Sequence, residues 1–311
     1  MPTRRHFLRR TAGAALLLPL AGPAARTARG AAPAPLPRPG ADGFNDLRGG
    51  VGYFVGQGGT IGYLATAAGL VVVDTQSPAS AAVCLAGVRE RAGGRRVDVL
   101  VNTHHHGDHT GGNPVFAPHA DRMVAHVAVP GLQRAAAVQR GTYDAQAYPN
   151  ETFDDMWTET VGGETVTARY VGPAHTAGDI VVHFLNANVA HVGDLLFNRR
   201  PAAIDLPGGA STPRWIAALE RMHAGFDDAT LLVWGHAGAG RPVSGPRAEL
   251  LAMRDYLAAL NEAVAAGVAA GKSADEVAAA GLPAFPDYAL PDRPDAVGAN
   301  LRLVYQEQTR R

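Results

Sequence analysis

The sequence predicts an α/β fold built in layers, on three observations. Short apolar runs bounded by glycine alternate with longer segments of helical pattern. Hydrophobic residues make up 47% of the 311 positions and charged residues 18%, enough for a sizeable core and too little charge for a disordered chain. Loops rich in His, Asp and Gly follow several of the apolar runs, so polar chemistry is concentrated at strand ends.

The chain opens on a targeting pattern. Arg4, Arg5, Arg9 and Arg10 form a charged start, residues 12–21 carry Leu16, Leu17, Leu18 and Leu20, and small residues follow. The pair Arg4-Arg5 followed by Phe7-Leu8 resembles the twin-arginine export signal. The expectation is that residues 1–31 are a signal peptide read by the twin-arginine export machinery, which delivers a folded protein to the periplasm. An uncleaved anchor is the alternative, although the apolar run falls short of the roughly 20 residues a bilayer span needs. Residues 32–45 are expected to be a linker, 46–245 the catalytic domain, and 246–311 a helical extension packed on that same domain.

Charge and cysteine content exclude some functions. Residues 1–30 hold six arginines and no acid, so removing six from 28 Lys and Arg leaves 22 against 28 Asp and Glu. A body near −6 with one lysine, Lys272, is poorly suited to tracking nucleic-acid phosphates, and no nucleic-acid partner is expected. The single Cys84 rules out an internal disulfide framework and a cysteine-rich metal site.

Along the mature chain, the runs 51–55, 61–64 and 70–73 read as strands broken by Gly pairs. Residues 79–92 read as a helix and 97–101 as a strand. The stretch 161–190 reads as several strands, clearest at 180–185. Helices are expected at 213–223 and 246–270, with 272–281 extending that region. The Ala-rich stretch 257–282 contains Asn261, Glu262, Lys272, Asp275 and Glu276, so it reads as surface helices, and no stable membrane span is expected.

The strand at 97–101 runs into Asn102-Thr103-His104-His105-His106-Gly107-Asp108-His109-Thr110. Residues two apart on extended chain face the same way, so His104 and His106 converge while His105 points elsewhere. Gly107 allows a turn that swings Asp108 and His109 toward a second position. Neutral imidazoles so crowded need partners and charged ones repel, so the cluster is costly without an ion. Three further motifs follow apolar runs: Gly172-Pro173-Ala174-His175-Thr176, with Asp179 three residues on; Gly193-Asp194; and Trp234-Gly235-His236.

Together these motifs resemble those of the metallo-β-lactamase superfamily, whose His-x-His-x-Asp-His motif is followed by a later His, Asp and His in this order. The resemblance spans about residues 50–240. It implies an αββα sandwich of two mixed β-sheets flanked by helices, with the site at one edge. It implies that His104, His106 and His175 bind one metal, that Asp108, His109 and His236 bind a second, and that Asp194 bridges them. Asp74, ending the 70–73 run, matches a position where the family often has a supporting Asp that would orient a ligand imidazole; a strand-end cap is the other reading. Thr176, next to His175, is expected in the same supporting shell. The expected cofactor is two Zn2+, while iron and manganese suit the same ligand types.

The implied chemistry is hydrolysis of a small-molecule carbonyl substrate (ester, lactone, thioester or amide-like) by a metal-bridging hydroxide, with Asp108 orienting it and carrying its proton. A periplasmic β-lactamase is an alternative, but the common β-lactamase branches place Cys or Ser where Asp194 stands, and one has Lys where Phe197 stands. A non-enzymatic metal-binding accessory role in sulfur or quinoprotein metabolism is a third reading. The segment 141–156, with Tyr143, Tyr148 and nearby Trp157, is a candidate lid, and Asn198-Arg199-Arg200 a candidate cation source. His105, His119, His126, His183, His191 and His223 are expected to be structural or surface residues.

Overall fold

The computed structural model describes residues 43–310. The expected signal peptide, its twin-arginine motif and most of the 32–45 linker lie outside the described residues.

Two mixed sheets form the frame. In the first, β1 (Phe44–Arg48), β2 (Val51–Phe54), β3 (Ile61–Ala65) and β4 (Leu70–Val73) pair antiparallel in sequence order. β5 (Val99–Asn102), β6 (Met123–His126) and β7 (Glu151–Phe153) then add in parallel. Between these strands run α1 (Pro78–Arg91), the one-turn helices α2 (Gly107–Thr110) and α3 (Asn113–Phe116), and α4 (Val129–Arg140). In the second sheet, β8 (Met156–Val161), β9 (Glu164–Tyr170), β10 (Ile180–Phe184) and β11 (Val189–His191) pair antiparallel. Beyond the two-residue β12 (Phe197–Asn198) and helix α5 (Thr212–Gly225), β13 (Leu231–Val233) joins β11 in parallel. The short β14 (His236–Ala237) pairs with β12, and β15 (Ser244–Pro246) closes the second sheet against β13. Helices α6 (Ala248–Ala269), α7 (Ala274–Ala280) and α8 (Ala296–Thr309) follow.

The inner strands of the first sheet, β2 to β5, are buried on successive residues because both faces of the sheet are covered there, whereas the outer β8 alternates exposed and half-buried positions. Val71, Val73, Val99 and Val101 face the second sheet, meeting Val166, Ala168, Ile180 and Val182. Their neighbours Leu70, Val72 and Leu100 face the other way, onto Ala81, Cys84, Leu85 and Val88 of α1. On the far side, Val181, Ala190 and Leu232 pack against Trp215 and Leu219 of α5, Leu257 and Leu260 of α6, and Leu301 and Val304 of α8. The order is helix, sheet, sheet, helix. No helix among the described residues is long and apolar enough to cross a membrane.

The structure departs from the sequence reading at several points. From Gly107 the histidine motif runs into two single helical turns, α2 and α3, interrupted at Gly111-Gly112, where the sequence reading had a turn. The strand expected at 97–101 is 99–102, with Val97 in an isolated bridge to Ala120. Helices α4 and α8 and strand β6 occupy stretches the sequence left unassigned.

Candidate metal centre

The anticipated residues gather where strands of both sheets end. The loop leaving β5 carries His104 through His109, and the loop between β9 and β10 carries His175. A tight turn after β11 carries Asp194, and the residue pair after β13 leads to His236. Gly193 in that turn has φ 51, the left-handed region that glycine enters without cost. Gly235 is needed for space, because a Cβ there would overlap Asp194 Oδ1.

Three groups of donors result, of which His105, His106 and Asp205 form one and the other two meet at Asp194. One nitrogen each from His104, His106 and His175, with an oxygen of Asp194, lie within 4.8 Å of one another. Asp108, His109 and His236 form a second such group. Asp194 lies between them: its Oδ2 is 3.5 Å from His175 Nε2 and 3.3 Å from His236 Nε2, and its Oδ1 is 3.0 Å from His109 Nε2. His236 Nε2 is also 3.1 Å from Asp108 Oδ2.

The outward nitrogens of four histidines are anchored, and those anchors set the tautomers. A carboxylate or carbonyl oxygen only accepts, so the nitrogen facing it carries the proton. His109 Nδ1–H donates to Asp74 Oδ2 at 2.7 Å, and His106 Nε2–H to Asp205 Oδ2 at 2.9 Å. His175 Nδ1–H donates to the Ala203 carbonyl at 2.6 Å. Thr103 Oγ1 donates to Asp74 Oδ2 at 2.7 Å, so it accepts from His104 Nδ1–H at 3.0 Å. In the neutral forms each opposite nitrogen turns a lone pair inward. His104 Nε2 is buried without a hydrogen-bond partner, and Asp194 Oδ1 is buried and accepts no well-directed hydrogen bond. Converging lone pairs and carboxylates, some of them orphaned, are what a cation satisfies, and the donor set fits a metal site.

Electrostatics divides the groups. Burial, reinforced by the neighbouring histidines, holds His104 well below its ordinary pKa. Burial and then His106 push His175 down to about 3. Burial would also depress His109, but the Asp194 and Asp74 carboxylates hold it well above its ordinary value. Burial opposes the same rise at His236, where Asp194 and Asp108 prevail and lift it to about 9. Burial would raise Asp194, yet His109 and His236 keep it well below the carboxylate range.

Asp74 is fully buried at φ 66, and its Oδ1 also accepts from the Thr103 amide at 2.8 Å. It therefore both ties the β5 loop and orients His109. Thr176 is buried, but its hydroxyl donates to Asp179 Oδ1 at 2.7 Å, so it secures the turn behind His175. Burial pushes Asp179 up to about 7. Asp205 was not anticipated: it takes His106 and lies 3.4 Å from His105 Nε2, and His105 is itself buried. His191, expected to be structural, is buried, with Nε2 2.9 Å from the Thr60 carbonyl and Nδ1 accepting the Gly193 amide.

A cleft of about 560 Å³ opens over the donors, with His106, Asp108, Asp194 and His236 in its floor. Its walls come from residues 200–203 and 293–300. The candidate lid is not among them: Tyr143 and Tyr148 pack on each other, Arg134 lies over Tyr148, and Trp157 donates to Glu151. Phe197 stacks on His236 with ring centroids 5.4 Å apart. Of the Arg199–Arg200 pair, Arg199 is bound to Glu249 while Arg200 lines the cleft.

Comparison with known proteins agrees with this arrangement. The chain is 30% identical over 131 residues to the 2,4-dinitroanisole O-demethylase subunit alpha of Nocardioides sp. (strain JS1661), covering 42% of this chain and 38% of that one. It is 33% identical over 159 residues to the hydroxyacylglutathione hydrolase of Acidiphilium cryptum (strain JF-5), covering 51% and 57%. These alignments thus reach only about half of each relative's length or less. A solved structure of a stereoselective inverting sec-alkylsulfatase from Pseudomonas sp. superposes with TM-score 0.64 at 17% identity, over 86% of this chain and 50% of that one, a likeness of fold. Residues 55–236 match the family model described as the metallo-beta-lactamase superfamily, and the chain belongs to that superfamily.

Proposed function

We propose that the protein is a hydrolase that holds two zinc ions and cleaves a small carbonyl substrate, an ester, lactone, thioester or amide-like compound. The observation that carries this reading is the pair of donor groups that meet at Asp194 at the bottom of an open cleft. His104, His106 and His175 would hold one ion, Asp108, His109 and His236 the other, and Asp194 both. Zinc ions so held supply a water made nucleophilic near neutral pH and an electrophile for the substrate oxygen.

The protein's own groups then have separate tasks. Asp74, Asp205 and the Ala203 carbonyl fix the imidazoles, which keeps the donors in place while substrate enters. Asp108 lines the cleft and is partly exposed. Burial would raise its pKa, but His236 and His109 hold it below the carboxylate range, so it is anionic at neutral pH and available to take a proton. Phe197, stacked on His236, keeps one side of the site apolar. The relatives' printed activities, a demethylase, a hydroxyacylglutathione hydrolase and a sulfatase, differ among themselves and do not select a substrate. Asp194 in place of Cys or Ser, and Phe197 in place of Lys, direct the reading away from β-lactams.

The test is a side-by-side turnover screen of zinc-loaded protein on an aryl ester, a lactone, a thioester, a β-lactam and a phosphodiester, with metal analysis. About two zinc ions per chain and turnover of at least one carbonyl substrate are expected. Full activity at one ion per chain would exclude the paired site. We further propose that Arg4-Arg5 directs export to the periplasm, with residues 1–31 removed. Replacing both arginines with lysine is expected to retain the protein in the cytoplasm; unchanged delivery on cell fractionation would refute this route.

A further inference from the structure

Two cationic side chains look onto the metal-facing cleft without a counter-charge. Arg200, in the loop after β12, and Arg293, in the loop before α8, both line it. Neither guanidinium has a hydrogen bond or ion pair among the described residues, whereas neighbouring charges are satisfied. Arg199 is bound to Glu249 and Asn198, and the rim carboxylate Asp295 is taken by Arg302 at 2.7 Å. A chain whose body is near −6 therefore places two unneutralised arginines beside its reactive floor. Between them and the floor the wall is apolar, with Pro201, Ala202 and Ala299.

We propose that Arg200 and Arg293 form an anion subsite, and that the substrate is a small compound carrying a carboxylate or similar oxyanion apart from its scissile carbonyl. The proposal rests on the hydrolase reading above and names its substrate class. A guanidinium presents a planar fork of donors that matches a carboxylate. Two such groups from separate segments would grip one oxyanion and hold the uncharged part of the substrate along the apolar wall toward Asp108 and Asp194. The charge also raises the local concentration of anionic substrate against the net negative body. Arg293 stands three residues before α8, whose buried face begins at Gly298, so the C-terminal helices would contribute to specificity as well as to the core.

The experiment compares meta-acetoxybenzoate with meta-acetoxybenzamide, which are nearly isosteric and differ in charge, on the zinc-loaded full chain. The parent is expected to favour the carboxylate in kcat/KM by about tenfold or more, as charge-assisted hydrogen bonds provide. Arg200→Gln with Arg293→Gln should abolish that preference, and the Lys pair should restore part of it. Calorimetric binding of the products, meta-hydroxybenzoate against meta-hydroxybenzamide, gives an independent readout. Loss of the parent's preference for the anion in the Gln variant supports the subsite. A parent without preference, or a Gln variant that keeps it in full, overturns the proposal. If neither ester is cleaved while the binding preference is present and lost on substitution, the subsite stands and the ester-hydrolase reading falls.

Discussion

At the scale of single residues, the two donor groups hold protons differently. His104 and His175 are neutral at any physiological pH, because burial removes their charge. His109 and His236 keep a proton in the absence of a cation, because burial is outweighed by Asp194 and its fellow carboxylates. A metal entering the second group must displace those protons, and metal binding is then coupled to proton release. With His236 near 9, its proton is bound below that pH and opposes the metal. The second zinc is expected to bind about tenfold more tightly for each pH unit between 6 and 9, for each proton displaced. The first should depend on pH more weakly. Zinc titration in a competing chelator at several pH values measures both, and equal slopes would contradict this division. The side chains that gather at the cleft were legible because spacing along one strand end and adjacent glycines are local features. Asp205 was not, since its contact with His106 joins positions 99 residues apart, and its own surroundings, Ile204-Asp205-Leu206-Pro207-Gly208, read as a turn. Arg293 escaped for the same reason.

Among the elements, strands were easier to read than the helices that finish the site. β4 and β5 are apolar at every position but Asn102, because each face has its own core, and that run announces itself. α4 begins Val129-Pro130-Gly131 and buries Gln133, which masks its pattern. α8 buries Gly298 and Asn300 beside Leu301 and Val304, so its inner face does not read as apolar. Asn300 is instead satisfied by Tyr256 and the Ala202 carbonyl, which ties α8 to the cleft wall. The short connectors are the elements most closely matched to the centre. Gly235 joins β13 to β14, and its amide donates to the Gly193 carbonyl at 2.8 Å, holding the Asp194 and His236 turns together. Its φ is not in the left-handed region, so alanine is compatible with the backbone, and the conflict is confined to Asp194 Oδ1 and His109. Gly235→Ala is therefore expected to leave the circular dichroism spectrum unchanged while lowering metal affinity roughly 10–100-fold, the loss typical of a displaced supporting contact. An unaltered zinc content after dialysis would show that Asp194 need not sit where the structure has it.

For the molecule as a whole, the donor groups span the seam between the two sheets. His104, His106, Asp108 and His109 follow β5 of the first sheet, while His175 and Asp194 lie on loops of the second and His236 opens β14 just beyond β13 of that sheet. Each group draws members from both sides, so a bound cation cross-links the halves of the sandwich at the edge where the strands end. Without a cation the same edge concentrates converging lone pairs, charged imidazoles and a buried carboxylate with an orphaned oxygen, an arrangement that disfavours the folded state. No disulfide is available to hold the edge, since Cys84 is alone and buried on the inner face of α1, where burial pushes its thiol above the ordinary range. Metal should then stabilise the fold by mass action, because the unfolded chain scatters the ligands over more than a hundred positions. At free zinc a thousandfold above the dissociation constant the gain is about 4 kcal/mol. For a domain of this size that corresponds to a rise in Tm on the order of ten degrees. Stripping zinc with a chelator should lower the unfolding midpoint by that amount, returning zinc should restore it, and the midpoint should climb with free zinc concentration. A midpoint indifferent to zinc would mean that the seven side chains at this edge do not hold a metal at all.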